Sequence, residues 1–363
     1  MSSTFDQARA AFQQGVQHFE AGRLEPAEAE FARALELVPQ RPSALTNLGV
    51  VRVRLGRFDA ALAPLQQALA QEPDNLEALS HRAIALAELG RPEEALRDAD
   101  RALAVSPSLG RIWGLRGKLL KELGRAREAA SALERAIALG SEVELNAFVL
   151  AGLRGDAAPA TPPRVYVESL FDGYAAQFDG HLVEVLQYRA PQRLLEPLTR
   201  EPRRFARALD LGCGTGLCGP WLRALAQHVT GVDLSAGMLA RAAQGGHYDT
   251  LEQADLVEHL RTASGAWDLV VAADVFIYVG ALAPVFAALA QAMPADGLLC
   301  FSLEESRDAP LVLRPSLRYA HSEASVLALA REHGFEIERC ERGPIRHDQG
   351  TPIDGLYFRL ARR

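Results

Sequence analysis

Small residues return every 34 positions through the first part of the chain, within stretches whose apolar residues follow a helical period. This spacing predicts four units, each with a helix, a turn at Gly-Arg, a second helix and a proline-containing junction. Alanine where the helices cross lets them approach closely. Residues 142–153 predict a further helix that caps the last unit. The recurring residues are Gly22, Gly56, Gly90 and Gly124; Ala27, Ala61, Ala95 and Ala129; Ala34, Ala68, Ala102 and Ala136; and Pro39, Pro73 and Pro107.

The second part of the chain has a different pattern, in which short apolar runs alternate with amphipathic stretches. This alternation predicts an α/β, Rossmann-like doubly wound domain with a seven-stranded mixed sheet. Between the two parts, residues 154–164 contain three prolines and no apolar period, which is typical of a semi-rigid linker. We therefore expect an all-α solenoid over 1–153, a linker over 154–164 and an α/β domain over 165–363.

Composition narrows the classes of function. The chain has 363 residues and a net charge of -7, which argues against a nucleic-acid partner. No apolar run approaches 18 residues and the first residues lack the apolar core of a signal peptide, so we expect a cytoplasmic protein without a membrane partner. The four cysteines show neither Cys-x-x-Cys spacing nor histidines at zinc spacing, so no metal site is predicted.

A glycine-rich turn follows the first apolar run of the second part, where residues 209–216 read Leu-Asp-Leu-Gly-Cys-Gly-Thr-Gly. Gly212, Gly214 and Gly216 differ in spacing from the Gly-x-Gly-x-x-Gly of dinucleotide sites. Asp210 precedes them, and a carboxylate there would repel a pyrophosphate but attract an amino group and a sulfonium. These are the charges of S-adenosylmethionine, which we expect as the cofactor, with S-adenosylhomocysteine as its product.

With these motifs in place, residues 165–363 resemble a class I methyltransferase domain. The resemblance implies that Asp233 holds the ribose hydroxyls, that Asp255 accepts the adenine amino proton and that the Leu256 amide bonds a ring nitrogen. Met238 either touches the adenine or packs within its helix. The cofactor-binding residues implied in this way are Asp210, Gly212, Cys213, Gly214, Gly216, Asp233, Leu234, Met238, Asp255, Leu256 and Asp274.

The resemblance also implies a lid over the cofactor, formed by an aromatic helix with Tyr174, Phe178 and Asp179. An amphipathic helix that packs its aromatic residues as core gives the same pattern, and both interpretations stay open. Asp274 follows the fourth strand, where it either accepts a substrate proton or holds the strand end. The sequence there reads Asp-Val-Phe-Ile, unlike the Asn/Asp-Pro-Pro-Tyr/Phe of amide and base-amino methyltransferases, which disfavours those substrates.

Further candidates for the acceptor side lie in the loops of the second part. Arg318, Tyr319 and His321 are predicted in a loop after the fifth strand, and Tyr278 follows the fourth strand. His321 is a candidate general base near neutral pH, although a lone loop histidine is often only solvated. The catalytic candidates are therefore Asp274, Tyr319 and His321.

The 34-residue units resemble tetratricopeptide repeats (TPR), and the whole chain resembles bacterial fusions of such repeats to a class I methyltransferase. The resemblance implies a groove for a peptide or protein, or an array that forms a homodimer. Of the five residues with which chaperone-binding arrays grip a terminal carboxylate, only Asn47 has a counterpart, so chaperone binding is not predicted. Three hypotheses stand: a methyltransferase whose repeats recruit a peptide or protein, a small-molecule O- or N-methyltransferase dimerised by its repeats, and a cofactor-binding scaffold without catalysis.

Overall fold

The computed structural model describes residues 3–174, 188–262, 267–348 and 351–363. It contains two compact units, Met1–Leu153 and Arg154–Arg363. The first unit is built of consecutive helix pairs, each helix packing on the next, which confirms the predicted helical repeats. Its helices are α1 Thr4–Glu20, α2 Leu24–Leu37, α3 Pro42–Arg54, α4 Phe58–Gln71, α5 Leu76–Glu88, α6 Pro92–Val105, α7 Gly110–Glu122, α8 Ala126–Ala138 and a final helix, α9 Val143–Arg154.

Glycine sets the turn between the two helices of each repeat. Gly22, Gly56, Gly90 and Gly124 have φ values of 72°, 71°, 67° and 73°. In this left-handed region a side chain approaches the backbone closely, so glycine is favoured just past a helix end. The Gly-Arg motif is therefore periodic because each repeat contains the same backbone turn.

A second column of small residues sets the distance between paired helices. A Cβ added to Gly49 would lie 2.4 Å from Leu65 Cγ, so α3 and α4 approach closely there. In the third repeat the equivalent residues, Ala83 and Ala99, are both alanine and fully buried. Across the repeats, the side-chain volume at one position is thus compensated by the volume at the position that faces it, and neither position requires one residue type. The pairs are Gly15 with Phe31, Gly49 with Leu65, Ala83 with Ala99 and Gly117 with Leu133.

The second unit is an α/β domain built on one mixed sheet. Its strands follow the order β3-β2-β1-β4-β5-β7-β6; β9 pairs antiparallel with β5, and β8 with β9. The strands are β1 Phe205–Leu211, β2 Ala226–Asp233, β3 Thr250–Gln253, β4 Leu269–Ala272, β5 Leu298–Glu305, β6 Leu311–Leu313, β7 Tyr319–His321, β8 Phe335–Asp348 and β9 Thr351–Arg362. The helices are α10 Arg164–Tyr174, α11 Ala190–Thr199, α12 Gly219–Leu225, α13 Ala236–Gly245, α14 Leu256–Thr262, α15 Ala283–Ala292 and α16 Glu323–Glu332.

The α/β class and the mixed sheet are confirmed, but the strand count is corrected. Over the described residues the sheet has nine strands instead of seven, because β6 and β7 form a hairpin in the segment predicted as a loop. Each of these two strands has only three residues. A run this short carries too little alternation to be recognised as a strand.

Both faces of the sheet are covered. All eight residues of β5 are buried, as expected for a central strand with packing on each side. Phe276, Phe286 and Phe301 pack on one face, and Leu222 and Val271 on the other. In the part of the chain described here, no helix combines the length and the apolar character needed to cross a membrane.

Candidate functional site

A cavity of about 880 Å³ lies where β1, β2 and β4 end, the edge at which open α/β sheets bind ligands. Its volume is near the upper end of the roughly 300–1,000 Å³ usual for ligand pockets. Four acidic residues predicted as cofactor ligands line it. Across the sheet from β3 to β4 they follow the order Asp255, Asp233, Asp210 and Asp274.

The glycine turn after β1 forms part of the cavity wall. Gly212 and Gly214, with φ values of 65° and 54°, line the cavity beside Cys213. A Cβ on Gly214 would meet nothing within 4 Å, so space lies open above this residue. Gly216, with φ 95°, does not line the cavity; its α-carbon faces Tyr248 and Ala242. Gly216 thus serves the turn and the packing, and its role as a ligand contact stays a prediction.

Asp233 is fixed by two backbone amides. Gly214 N donates to Asp233 Oδ2 and Ser235 N donates to Oδ1, both at 2.9 Å. Each carboxylate oxygen has a second lone pair for a further hydrogen bond. The carboxylate is therefore oriented before any ligand arrives, at the wall of the cavity.

The Asp255 carboxylate, a hydrogen-bond acceptor, is next to the backbone amide of Leu256, a donor. Asp255 Oδ1 accepts from the amides of Val257 and Glu258 and so caps α14. Within the described residues its hydrogen bonds reach only Oδ1, which leaves Oδ2 toward a ligand. Leu256 is the first residue of α14, so its amide has no acceptor within the helix. Leu234 lines the same part of the cavity.

Asp210 is a buried carboxylate, 1% exposed. Tyr248 Oη donates to its Oδ2 at 2.7 Å. Burial raises the pKa of Asp210 to about 7, and the Tyr248 hydrogen bond opposes that rise. A carboxylate whose charge is disfavoured by burial is stabilised by a nearby cation.

Sequence reasoning missed Tyr248, because a single tyrosine in the loop before β3 belongs to no motif.

Asp274 is held by a buried arginine. Its backbone has φ 59°, and its amide donates to Ser302 Oγ at 2.9 Å. Arg346 Nη1 donates to both Asp274 oxygens, at 3.1 and 2.8 Å, while Nη2 donates to Glu304. These contacts favour the interpretation that Asp274 holds the strand end, although it also lines the cavity. Sequence reasoning missed Arg346, because a single arginine belongs to no motif.

Three predicted candidates lie away from the cavity. Tyr319 and His321 are buried in β7, and His321 Nε2 lies 2.9 Å from the Val279 carbonyl. Burial also lowers the pKa of His321, which corrects the expectation of a solvated loop base. Met238 is fully buried in α13 and does not line the cavity, so it packs in its helix rather than against an adenine.

The segment predicted as a linker covers the cavity. Ala160 and Pro162 line it, and the Ala160 carbonyl accepts from Ala281 N at 2.7 Å. Phe171 in α10 packs edge-on against Tyr278, with ring centroids 5.1 Å apart. Residues 159–162 thus act as a cover as well as a connection. Arg318 and Tyr278 line the cavity, whereas the Tyr174 side chain, Phe178 and Asp179 lie outside the described residues.

Neither metal chemistry nor cysteine chemistry is indicated by the described side chains. No group of three or more histidine, cysteine, aspartate or glutamate residues is placed to hold a metal ion in that part of the chain. The four cysteines are free. Burial raises the pKa of Cys218 well above its usual value, so this thiol stays protonated and serves as packing.

Comparison with protein families separates the chain into two parts. Residues 209–301 match the model of a methyltransferase domain. Residues 12–75, 46–110 and 110–139 match models of the tetratricopeptide repeat. Together these matches confirm the two parts predicted from the sequence.

Individual curated relatives match about a third of the chain. A malonyl-[acyl-carrier protein] O-methyltransferase of Geobacter sulfurreducens is 35% identical over 142 residues, 38% of this chain and 52% of the relative. Human methyltransferase-like protein 27 is 36% identical over 133 residues, 35% of this chain and 51% of the relative. The chain thus spans about half the length of these relatives.

A solved magnesium protoporphyrin IX methyltransferase from Synechocystis, with bound S-adenosylhomocysteine, superposes with a TM-score of 0.44. The sequences are 17% identical, and the match covers 55% of this chain and 99% of that one. By the family models, the chain joins an array of tetratricopeptide repeats to a methyltransferase domain.

Proposed function

We propose that the α/β unit transfers a methyl group from S-adenosylmethionine to an acceptor held in the same cavity. The observation that supports this most is the row of carboxylates at the sheet edge. Asp255 with the Leu256 amide suits an adenine edge, Asp233 suits ribose hydroxyls and the buried Asp210 suits a cationic amino group. The residues present therefore suit the adenine, the ribose and the amino group of the cofactor.

The cofactor, when bound, supplies a methyl carbon already activated by a sulfonium. The protein's contribution is to bind and orient the two reactants, and positioning of this kind contributes roughly 7–11 kcal/mol. Arg346 and Ser302 hold Asp274, and thereby the cavity wall, in a fixed conformation. Ala160 and Phe171 line the cavity and add apolar surface to its wall. This function needs no strong catalytic base from the chain.

For the array we propose a groove that binds a peptide or protein, either as the substrate or as a partner. The repeat matches support this role, because stacked helix pairs present a concave surface. The size and apolar character of the cavity favour a second candidate, a small-molecule O- or N-methyltransferase whose array forms a homodimer. The two candidates share the cofactor site and differ in what carries the acceptor atom.

The test is transfer of label from methyl-labelled S-adenosylmethionine to size-fractionated host extract by the full chain. Asp233→Asn keeps the shape of the side chain but loses a charged acceptor, so we expect S-adenosylhomocysteine affinity to fall about 10- to 100-fold. Asp308→Asn is the matched control, since Asp308 is exposed.

Label in the protein fraction that Asp233→Asn abolishes would support the first candidate. Label confined to small molecules would favour the second. Tight S-adenosylhomocysteine binding without any Asp233-dependent label would favour a scaffold without catalysis. Failure of the unmodified chain to bind S-adenosylhomocysteine would refute the cofactor assignment.

A further inference from the structure

Arg318 lies at the end of the cavity opposite to the adenine side. Asp255 follows β3 at one side of the strand order β3-β2-β1-β4-β5-β7, and Arg318 directly precedes β7 at the other. Of β5, only the last residues pair with β7, on the edge that β4 also uses, since β9 pairs with the opposite edge. Ala320 lies opposite Glu304, so the start of β7 is near the ligand-binding edge. β7 therefore lies beyond the end of β4, about 5 Å, or one strand spacing, from the line of β1, which carries Asp210, and three spacings from that of β3.

The backbone around Arg318 is well fixed. Arg314 N donates to the Arg318 carbonyl at 2.9 Å, and Leu317 N donates to the Arg314 carbonyl at 2.8 Å. Leu317 has φ 62° and is 6% exposed, and Tyr319 on the other side is fully buried. Because both neighbours are anchored in the core, the hairpin presents the Arg318 side chain to the cavity from a rigid support.

The other cavity arginines already have carboxylate partners. Arg164 Nε donates to Glu168 at 2.7 Å, and Arg346 is paired with Asp274 and Glu304. Across the described ranges no carboxylate forms an ion pair with Arg318, which is half-buried. A charge so placed is poorly solvated, and an anionic group that accepts its hydrogen bonds stabilises it.

The surroundings of Arg318 are apolar and aromatic. Val167, Leu170 and Phe171 line the cavity from α10, and Tyr278 packs against Phe171. Tyr166, also on α10, lies near Arg318 and Tyr278. The acceptor end of the cavity thus combines an apolar wall with one cation that lacks a carboxylate partner in the described chain.

We propose that the methyl acceptor is an anionic molecule with an apolar body, and that Arg318 binds its carboxylate or phosphate group. This inference rests on the proposed methyl transfer and names the class of its substrate. Guanidinium groups bind both anions through paired hydrogen bonds, so the two sources share one chemistry.

The experiment measures binding of simple probes to the full chain saturated with S-adenosylhomocysteine. Octanoate and octyl phosphate supply the two anions on one apolar body, and octanol is the neutral counterpart. Arg318→Met removes the charge and keeps the apolar stem, whereas Arg318→Lys keeps a charge without the paired geometry. Arg331→Met, which removes an exposed arginine on α16, is the matched control.

At least one anion is expected to bind about tenfold or more tightly than octanol. Arg318→Met should abolish that preference, Arg318→Lys should keep part of it, and Arg331→Met should leave it unchanged. The better-bound anion then assigns the acceptor as a carboxylate or a phosphate.

Equal binding of the three probes, or binding of none, overturns the inference, as does a preference that survives Arg318→Met. An equally large loss of S-adenosylhomocysteine affinity in Arg318→Met assigns the arginine to the cofactor and also overturns it. If the unmodified chain does not bind S-adenosylhomocysteine, the proposed function fails first, and that result is read before any probe is added.

Discussion

The repeat array and the α/β unit both depend on glycine, but for different purposes. In the array, Gly22, Gly56, Gly90 and Gly124 share nearly one φ value, and a Cβ on any of them would meet nothing within 4 Å. In the glycine turn of the α/β unit, a Cβ on Gly212 would lie 2.6 Å from Val275, whereas one on Gly214 would enter open space. The array repeats one backbone conformation, while the glycines of the α/β turn differ in their surroundings from one to the next.

The same contrast holds for buried charges. In the array, Arg82 donates two hydrogen bonds to Asp98, at 2.6 and 2.7 Å, and its side chain keeps 21% exposure. In the α/β unit, Arg346 is 2% exposed and holds Asp274 and Glu304 together. Local pairs in the array can be disturbed one at a time, but Arg346 joins β8 to the ends of two other strands. The expected effects of substitution follow this difference.

Arg346→Met should have the largest effect on stability. The substitution leaves two carboxylates without their shared partner, and removal of one member of a buried ion pair costs about 3–5 kcal/mol. Hydrogen exchange of the full chain should show faster exchange in β5 and β8, with the array as an internal reference.

Arg307→Met serves as the control, because the Arg307 side chain is 67% exposed and such pairs contribute little. A loss below about 1 kcal/mol for Arg346→Met would show that the charges are solvated, contrary to the burial described.

Gly49→Ala should destabilise the array by about 1–3 kcal/mol, because its Cβ would lie 2.4 Å from Leu65 Cγ. The third repeat carries alanine at both equivalent positions, Ala83 and Ala99. The double substitution Gly49→Ala and Leu65→Ala should therefore cost less than the sum of the two single ones. Denaturant unfolding of the four variants measures this coupling.

Gly56→Ala is the companion variant, since it tests the backbone conformation without crowding. We expect it to cost about 1–2 kcal/mol through its φ of 71° alone. Strict additivity of the Gly49 and Leu65 substitutions would contradict the idea that side-chain volumes at facing positions compensate for each other.

The array could be predicted from the sequence because its contacts are local and recur. The Gly-Arg turn recurs four times with nearly the same φ value. The period of that turn alone therefore predicts the helices between its copies. In the α/β unit the sequence predicted the carboxylates next to motifs, including Asp233 and Asp255, and the cavity brings them together. What the motifs define is the cofactor side of the domain.

The remainder of the site depends on residues that are distant in sequence. Arg346 reaches Asp274 across 72 positions and Tyr248 reaches Asp210 across 38, and neither partner belongs to a pattern. Tyr319 and His321 were misplaced because a three-residue strand resembles a loop in sequence. Contacts that occur once and join distant segments leave no period for sequence reasoning to detect.

Binding of S-adenosylhomocysteine should depend on pH through Asp210. Its pKa of about 7 means that the carboxyl is largely protonated below pH 7 and loses its attraction for the ligand's amino group. Affinity should therefore rise by up to about tenfold per pH unit toward pH 7 and level off above it. Titration of the full chain between pH 5.5 and pH 8, roughly symmetric about that pKa, measures the profile.

Two variants sharpen this assignment. Asp210→Asn should flatten the profile. Tyr248→Phe removes the hydrogen bond that lowers the pKa of Asp210, so the rise in affinity should move to higher pH. A profile that keeps its slope in Asp210→Asn would assign the titration to another group.

His321→Gln should have the smallest effect on methyl transfer. The imidazole is buried in β7 against the Val279 carbonyl and does not line the cavity, so it has no path to an acceptor. Burial lowers its pKa, which keeps the ring neutral at the pH of the assay. We expect transfer of label to extract to change by less than about twofold across the pH range, with only the roughly 1–3 kcal/mol of stability that a disturbed buried hydrogen bond costs. A tenfold loss of transfer at unchanged S-adenosylhomocysteine affinity would instead restore His321 as a catalytic base, and would mean that the hairpin of β6 and β7 opens during turnover.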